Sequence, residues 1–511
     1  MPGTIISLAR IGGADMALKN YINGRWMDAS GGRTFRDVNP ANGEFLGELP
    51  RSGPEEVAAA VEAAWEAFPR WRRVPAPRRA DMFYRLGDLM ERQKEELARL
   101  LTMEMGKVLV EARGEVQEAL DYLYMFAGEG RRQFGFTTPS ELPNKAAMAV
   151  REPLGVVACI TPWNFPIAIP VLKIFAALIL GNTVVFKPAS DTPIMACRLV
   201  ELMEEAGFPP GVMNLVHGTG QEVGVPLVQH PKVALISFTG STEVGREIGI
   251  VAAQNMKRST MEMGGKNAIT VLEDADLDLA VEGIIWSAFG TTGQRCTACS
   301  RLLVHRDVKD ALLSKLVPRV EALRLGNGLD PDTDVGPLIN GARQDKVAEY
   351  VEIGRREGAR LVTGGYPVRE GDLSKGFFFK PTIFDEVDPY AVIAQEEIFG
   401  PVLSVITVGS LEEAIRINNS VKYGLTSSVY TRDLRKAFVA MRELDTGLVY
   451  INAGTIGAET HLPFGGTKAT GNGHREGAWA ALDAYSEWKT IYVDYSGRLQ
   501  RAQIDIEAPT A

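Results

Sequence analysis

The chain has 511 residues, which at roughly 150 residues per domain allows about two to four domains and a large buried core. Hydrophobic residues make up 45% and charged residues 23%, a globular composition that excludes disordered and fibrous classes. Fifty-five basic against 64 acidic side chains leave a net charge of −9 with no basic block, which argues against nucleic acid or an anionic membrane as a partner.

Four cysteines, Cys159, Cys197, Cys296 and Cys299, are too few for a disulfide scaffold and fit a reduced, cytoplasmic setting. The five histidines, at 217, 230, 305, 461 and 474, show no zinc-ligand spacing, so no metal is expected. Residues 1–15 have one short apolar patch without a charged region before it and do not read as a signal peptide. Met16 reads as an alternative start, because the patterned sequence begins just after it. The charge-free run 154–172 carries Pro162, Pro166, Pro170 and Asn164, which would break a spanning helix, so no membrane span is expected.

Residues 54–71 read as a helix, with Pro54, Glu55 and Glu56 in the first turn and Val57, Val61, Ala64, Trp65 and Phe68 on one face. Amphipathic helices continue over 77–101 and 110–126. Strands are then expected at 147–150, 156–160, 183–186, 213–216 and 233–238, with helices at 172–180, 193–206, 220–230 and 241–256. Such alternation implies a parallel sheet covered on both faces. A second alternating stretch has strands at 268–271, 302–305, 381–384, 402–408 and 447–451, and helices at 277–289, 308–320, 341–357, 411–418 and 433–444. The last strand, 488–493, has no partner in its own helix-rich segment and must pair elsewhere, in this chain or on another subunit.

Several segments carry candidate chemistry. Residues 236–245 place a glycine turn, Gly240-Ser241, between strand and helix, an anion site suited to a pyrophosphate, although the spacing is not GxGxxG. The run 217–224, with Gly220, also misses that spacing. Lys187 and Ser190 follow a buried strand at its carboxyl end, where α/β folds bind ligands; a solvated turn lysine fits the position equally. Cys296 sits in a small-residue loop beside Arg295 and Arg301, and nucleophile, redox pair with Cys299 and inert thiol all fit that spacing. A Cys296–Cys299 disulfide would be a reversible off-switch, while a packing role for Cys299 is the plainer reading. Glu262, between Met261 and Met263, is a general base if buried and an ordinary surface carboxylate if not.

Taken together, seven motifs resemble the aldehyde dehydrogenase superfamily over about residues 18–495: TPWNFP from Thr161, KPAS from Lys187, FTGSTEVG from Phe238, EMGGK from Glu262, GQRC ending at Cys296, EIFGP from Glu397 and PFGG from Pro463. The resemblance implies an α/β fold with a Rossmann-type cofactor domain, an α/β catalytic domain and a small β oligomerisation element. It divides the chain into 16–137 with 157–264 for NAD or NADP, 265–482 for catalysis, 138–156 with 483–497 for assembly, and a tail at 498–511. It implies a homodimer or homotetramer acting on a small aldehyde, with Cys296 as nucleophile, Asn164 as oxyanion donor and Glu262 as the base that activates water. Thr161, Trp163, Lys187, Ser190, Gly220, Gly240, Ser241, Glu397 and Phe399 would hold the cofactor. Glu487 matches a glutamate proposed as a proton relay. Many NAD-preferring members carry Glu where Ser190 stands, so NADP is expected to be accepted at least as well as NAD.

Phe165, Ile169, Leu172 and Phe464 match pocket positions and are apolar. Leu172 stands where some succinate semialdehyde dehydrogenases carry Arg, which counts against that substrate. The run 461–475 looks more like dehydrogenases of α-ketoglutarate semialdehyde. Arg295 either meets an anionic tail or faces away, so medium, aromatic and carboxylated aldehydes all stay open. The rivals are a coenzyme A-acylating enzyme, against which Glu262 speaks, and a non-catalytic relative, against which the Cys296, Asn164 and Glu262 set speaks.

Overall fold

The computed structural model describes residues 10, 11, 14, 15 and 18–506. Most of the stretch read for a leader, Met16 and the end of the tail lie outside the described residues.

Two seven-stranded sheets organise the chain. In the first, five parallel strands run in the order Arg258–Glu262, Val233–Thr239, Val156–Ile160, Thr183–Lys187 and Met213–Leu215. The hairpin Asn20–Ile22 and Arg25–Met27 extends this sheet antiparallel through Leu215 and Tyr21. Val157 and Cys159 pack into one hydrophobic core, and Val156, Ala158 and Ile160 into another. A strand buried on both faces needs such a continuous apolar run. The helices Pro54–Trp71, Ala76–Arg92, Lys94–Met105 and Leu109–Glu129 supply much of the packing.

The second sheet runs Arg360–Thr363, Thr382–Asp385, Val402–Val408, Cys299–His305, Asn267–Val271, Thr426–Tyr430 and Leu448–Ile451, with only the first strand antiparallel. Leu303 faces one core while Leu302 and Val304 face another.

Three expectations change in detail. The helix read over 77–101 breaks at Gln93 into two. The helix read over 220–230 opens as a π-helical turn, Gly220–Gly224, before Val225–Gln229. Pro226 explains this, because it has no N–H for the carbonyl four residues back. The terminal strand Ser486–Asp494 pairs over its full length with Lys145–Pro153 of the same chain, from Ser486 against Pro153 to Asp494 against Lys145. It is therefore not donated to another subunit in this structure, and the argument for assembly from a donated strand falls. Phe136–Pro139 completes that three-stranded sheet on the far side of Lys145–Pro153. No described helix is long and apolar enough to cross a membrane.

Candidate active site

Helix Leu277–Phe289 ends at a turn, Gly290–Gly293, that leads to Cys296. Thr291 and Thr292 hold left-handed backbone at φ 51° and 58°, an unfavourable region for side-chain-bearing residues. Their neighbours over-determine the turn. Glu111 accepts the Thr291 N–H at 2.8 Å, and Thr292 donates its hydroxyl to Gly336 O at 2.9 Å. Just beyond, the Cys296 carbonyl accepts the Asn267 amide at 2.7 Å, which fixes the backbone at Cys296.

Asn164 lies in the connection between strand Val156–Ile160 and helix Ala168–Leu180. Its side-chain amide donates to Gln294 O at 3.0 Å, using one of its two hydrogens. Beneath it, Lys107 donates to Asn164 O at 2.8 Å and pairs with Glu115 at 2.5 Å, both side chains fully buried. Glu115 also accepts the N–H groups of Ile167 and Ala168 at 3.0 and 3.3 Å.

Glu262 ends strand Arg258–Glu262 and is buried. Burial raises its pKa well above the usual carboxylate range, and the charge of Glu476 adds to this; Lys173, Arg475 and the Gly466 N–H oppose it. Gly465 makes room: a Cβ there would stand 2.5 Å from Glu262 Oε1. Glu476 forms a buried ion pair with Lys173, which in turn reaches Ser237 Oγ at 3.3 Å. Sequence reasoning missed Lys173 and Glu476, which stand 303 positions apart.

Cys296 is half-buried and lines two cavities. The first, about 470 Å³, is lined by Trp163, Asn164, Gly240, Ser241, Arg343, Lys346, Glu397 and Phe399 among others. The second, about 150 Å³, brings together Phe165, Ile169, Leu172 and Phe464 with Glu118, Tyr122, Arg295, Glu262 and Glu476. Arg295 therefore faces the pocket. Its Nε donates to Thr291 Oγ1 at 2.8 Å, its Nη2 lies 3.5 Å from Glu111, and its guanidinium sits 5.4 Å from the Phe165 ring.

The larger cleft fits a dinucleotide on its own features. Ser241 caps helix Thr242–Gln254, accepting the Val244 N–H at 3.3 Å, so the helix N-terminus opens beside the cleft. Glu397 is pushed up to about 7, first by burial, and accepts only the Gly265 N–H, at 2.9 Å, from the described residues. A Cβ on Gly264 would meet its Oε2 at 2.3 Å, so glycine there lets the carboxylate reach the cleft. Thr239 lines both cavities, and its buried Oγ1 has no hydrogen-bond partner among the described residues. Phe399 stands edge-on to Trp163 at 5.5 Å.

Four expected cofactor residues lie outside this lining. Thr161 is buried and bonds through its N–H to Lys187 O at 3.3 Å. Lys187 donates to Pro188 O at 2.6 Å, Ser190 donates to Gly218 O at 3.2 Å, and Gly220 opens the π-helical turn. Glu487 is a correction. Its side chain is 63% exposed on the edge strand and lies 3.6 Å from Arg258, and it lines neither cavity; Glu476 is the carboxylate beside Glu262. Cys299 is core: its thiol donates to Arg301 O at 3.3 Å, and burial pushes it up to about 12. No group of His, Cys, Asp or Glu able to hold a metal occurs among the described residues.

A thiol reached from a dinucleotide-sized cleft on one side and a small apolar pocket on the other, with a buried carboxylate beside it, defines a cysteine-dependent dehydrogenase. The chain belongs to the aldehyde dehydrogenase family, whose model matches residues 26–491. It is 42% identical to the alpha-ketoglutaric semialdehyde dehydrogenase of Bacillus subtilis, over 93% of this chain and 97% of that protein. It is also 42% identical to the NADP(+) succinate-semialdehyde dehydrogenase of Escherichia coli, over 92% and 97%. Betaine aldehyde dehydrogenase from Staphylococcus aureus, solved in complex with NAD+, superposes with a TM-score of 0.93 at 36% identity, over 95% of this chain and 96% of that one. The enzyme is an aldehyde dehydrogenase that uses NAD or NADP.

The Cys296 thiol is pushed up to about 12 by burial, then by Glu397 and Glu262. Thiolate therefore forms only as pH rises, and alkylation follows thiolate. In enzyme free of cofactor, iodoacetamide modification of Cys296 is expected to climb through pH 9.5 without a plateau. A plateau below pH 8 would contradict this placement.

Proposed function

We propose that Cys296, its thiol proton released to solvent, attacks the aldehyde carbon as the thiolate, so that the C=O double bond opens to an oxyanion held by the free amide hydrogen of Asn164 with the Cys296 N–H. One such donor is worth roughly 3–4 kcal/mol in other enzymes. Helix Thr242–Gln254 and Ser241 would bind the pyrophosphate, Glu397 a ribose, Trp163 and Phe399 the cleft walls, and Lys187 and Ser190 the second ribose. The chemistry that bound NAD or NADP supplies is acceptance of the hydride lost from the thiohemiacetal. Glu262 then takes a proton from the water that hydrolyses the thioester, and Lys173 with Glu476 sets its charge. The Cys296 thiol on the wall shared by both cavities, with the Asn164 amide lining one and the buried Glu262 carboxyl lining the other, carries this reading.

The substrate is an aldehyde with a carboxylate tail, met by Arg295. The Bacillus subtilis and Escherichia coli relatives are semialdehyde dehydrogenases by name, and Arg295 keeps donors free beyond Thr291 and Glu111 among the described residues. The two sheets correspond to a cofactor domain, 16–137 with 157–264, and a catalytic domain, 265–482. The elements 138–156 and 483–497 serve assembly as a homodimer or homotetramer in the cytoplasm. Ser486–Asp494 supports this as an edge strand bearing Trp488 and Tyr492, 45% and 65% exposed. Light scattering that finds a monomer at micromolar concentration would remove the assembly.

Glu262→Gln is expected to keep a single burst of NAD(P)H but lose steady-state turnover by about 10²–10⁴-fold. Loss of the burst would move Glu262 out of hydrolysis. For 5-oxopentanoate, Arg295→Leu is expected to lower kcat/KM at least tenfold, while pentanal changes less than threefold. Equal losses on both would refute Arg295 as the group that meets the tail. Run with each cofactor, the same assay is expected to show NADP used at least as well as NAD, since Ser190 carries no repelling charge; strong NAD selectivity would overturn that.

A further inference from the structure

Glu118 stands at a threshold. It lines the inner pocket that holds Cys296 and also an outer recess open to solvent. Helix Leu109–Glu129 places it there half-buried, and no described residue gives its carboxyl a hydrogen bond or ion pair. Arg295, by contrast, is held rigidly by Thr291 and between the rings of Phe165 and Trp286, 5.4 and 5.1 Å away. A tail bound by Arg295 therefore lies beside an acid that no protein group satisfies.

We propose that Glu118 determines which tail charge the pocket admits: its protonated carboxyl donates a hydrogen bond to a carboxylate tail, and its ionised form repels that tail. This deepens the carboxylate-tail reading above and rests on it. A neutral aldehyde of the same length meets neither effect.

The surroundings place the switch in the working range. Burial pushes the Glu118 carboxyl up to about 7, and Glu115 and Asp121 on its own helix act in the same direction. Arg295, from the nucleophile loop, and Lys107, ahead of the helix, pull it back. Glu262 and Glu476 stand at the inner end of the pocket. Across the recess, His461 lies 3.3 Å from Glu459. His461 lines the same recess as Glu118, so it needs its own control. The sign follows: rising pH ionises Glu118 and weakens binding of an anionic tail.

The test compares kcat/KM for 5-oxopentanoate and for pentanal between pH 6 and 8.5, where the substrate's own carboxylate stays ionised. Their ratio cancels the pH dependence of Cys296 and Glu262, which both substrates share. In the native enzyme the ratio is expected to fall about tenfold across this range. In Glu118→Gln it is expected to be flat and, at pH 8.5, higher than native; His461→Gln keeps the fall. A flat native ratio, a Glu118→Gln ratio that still falls, or a fall abolished by His461→Gln overturns the proposal. Thermal unfolding of Glu118→Gln verifies that the variant is folded. If Arg295→Leu leaves the ratio unchanged while Glu118→Gln flattens it, the Arg295 reading fails and the role of Glu118 stands.

Discussion

The site rests on one buried ion pair, Lys107 with Glu115. Two fully buried charges are costly to desolvate unless each is also bonded elsewhere. Here Lys107 donates to the carbonyl of Asn164 and lies 3.9 Å over the Phe165 ring, while Glu115 accepts the first N–H groups of the next helix. The connection after strand Val156–Ile160 is thus pinned from below. It carries Trp163 to the cleft, Asn164 to the thiol and Phe165 to the pocket. Removing either charge would strand the other and release all three side chains together.

Cys296, the proposed nucleophile, is held by the same logic from the other side. Left-handed threonines and the amide of Asn267 fix the backbone around Cys296, and Asn164 is tied to Gln294 within that loop. The strain of the turn is offset by buried bonds to Glu111 and Gly336. Two loops, each rigid for its own reason, are thereby locked to one another where the chemistry occurs.

Strand and helix alternation was legible because strands buried on both faces read as continuous apolar runs, as 156–160 and 302–305 do. The motifs around Cys296, Glu262 and Asn164 were legible because close approach imposes small residues, as Gly465 shows against Glu262. Less visible were short strands such as Asn20–Ile22 and Arg25–Met27, whose pairing is set by a sheet formed far along the chain. Thr426–Tyr430 reads as polar, yet it is buried between two strands of the second sheet. Lys173 with Glu476, and Glu118 opposite Arg295, carry no local pattern, because each pair is assembled only by folding. Glu487 shows the converse: a matching motif fixes residue type, but the fold decides where it stands, here exposed on an edge strand away from both cavities.

Cys296, Ile169, Thr239 and Met263 form a wall common to both cavities, but the cavities open by different routes. One leaves past Ser241 and Lys346, the other past Glu118 toward Ala458 and His461. The molecule therefore has two doors onto one atom. Neither cavity has to be crossed to reach the other, so filling one leaves the approach to Cys296 from the other side open.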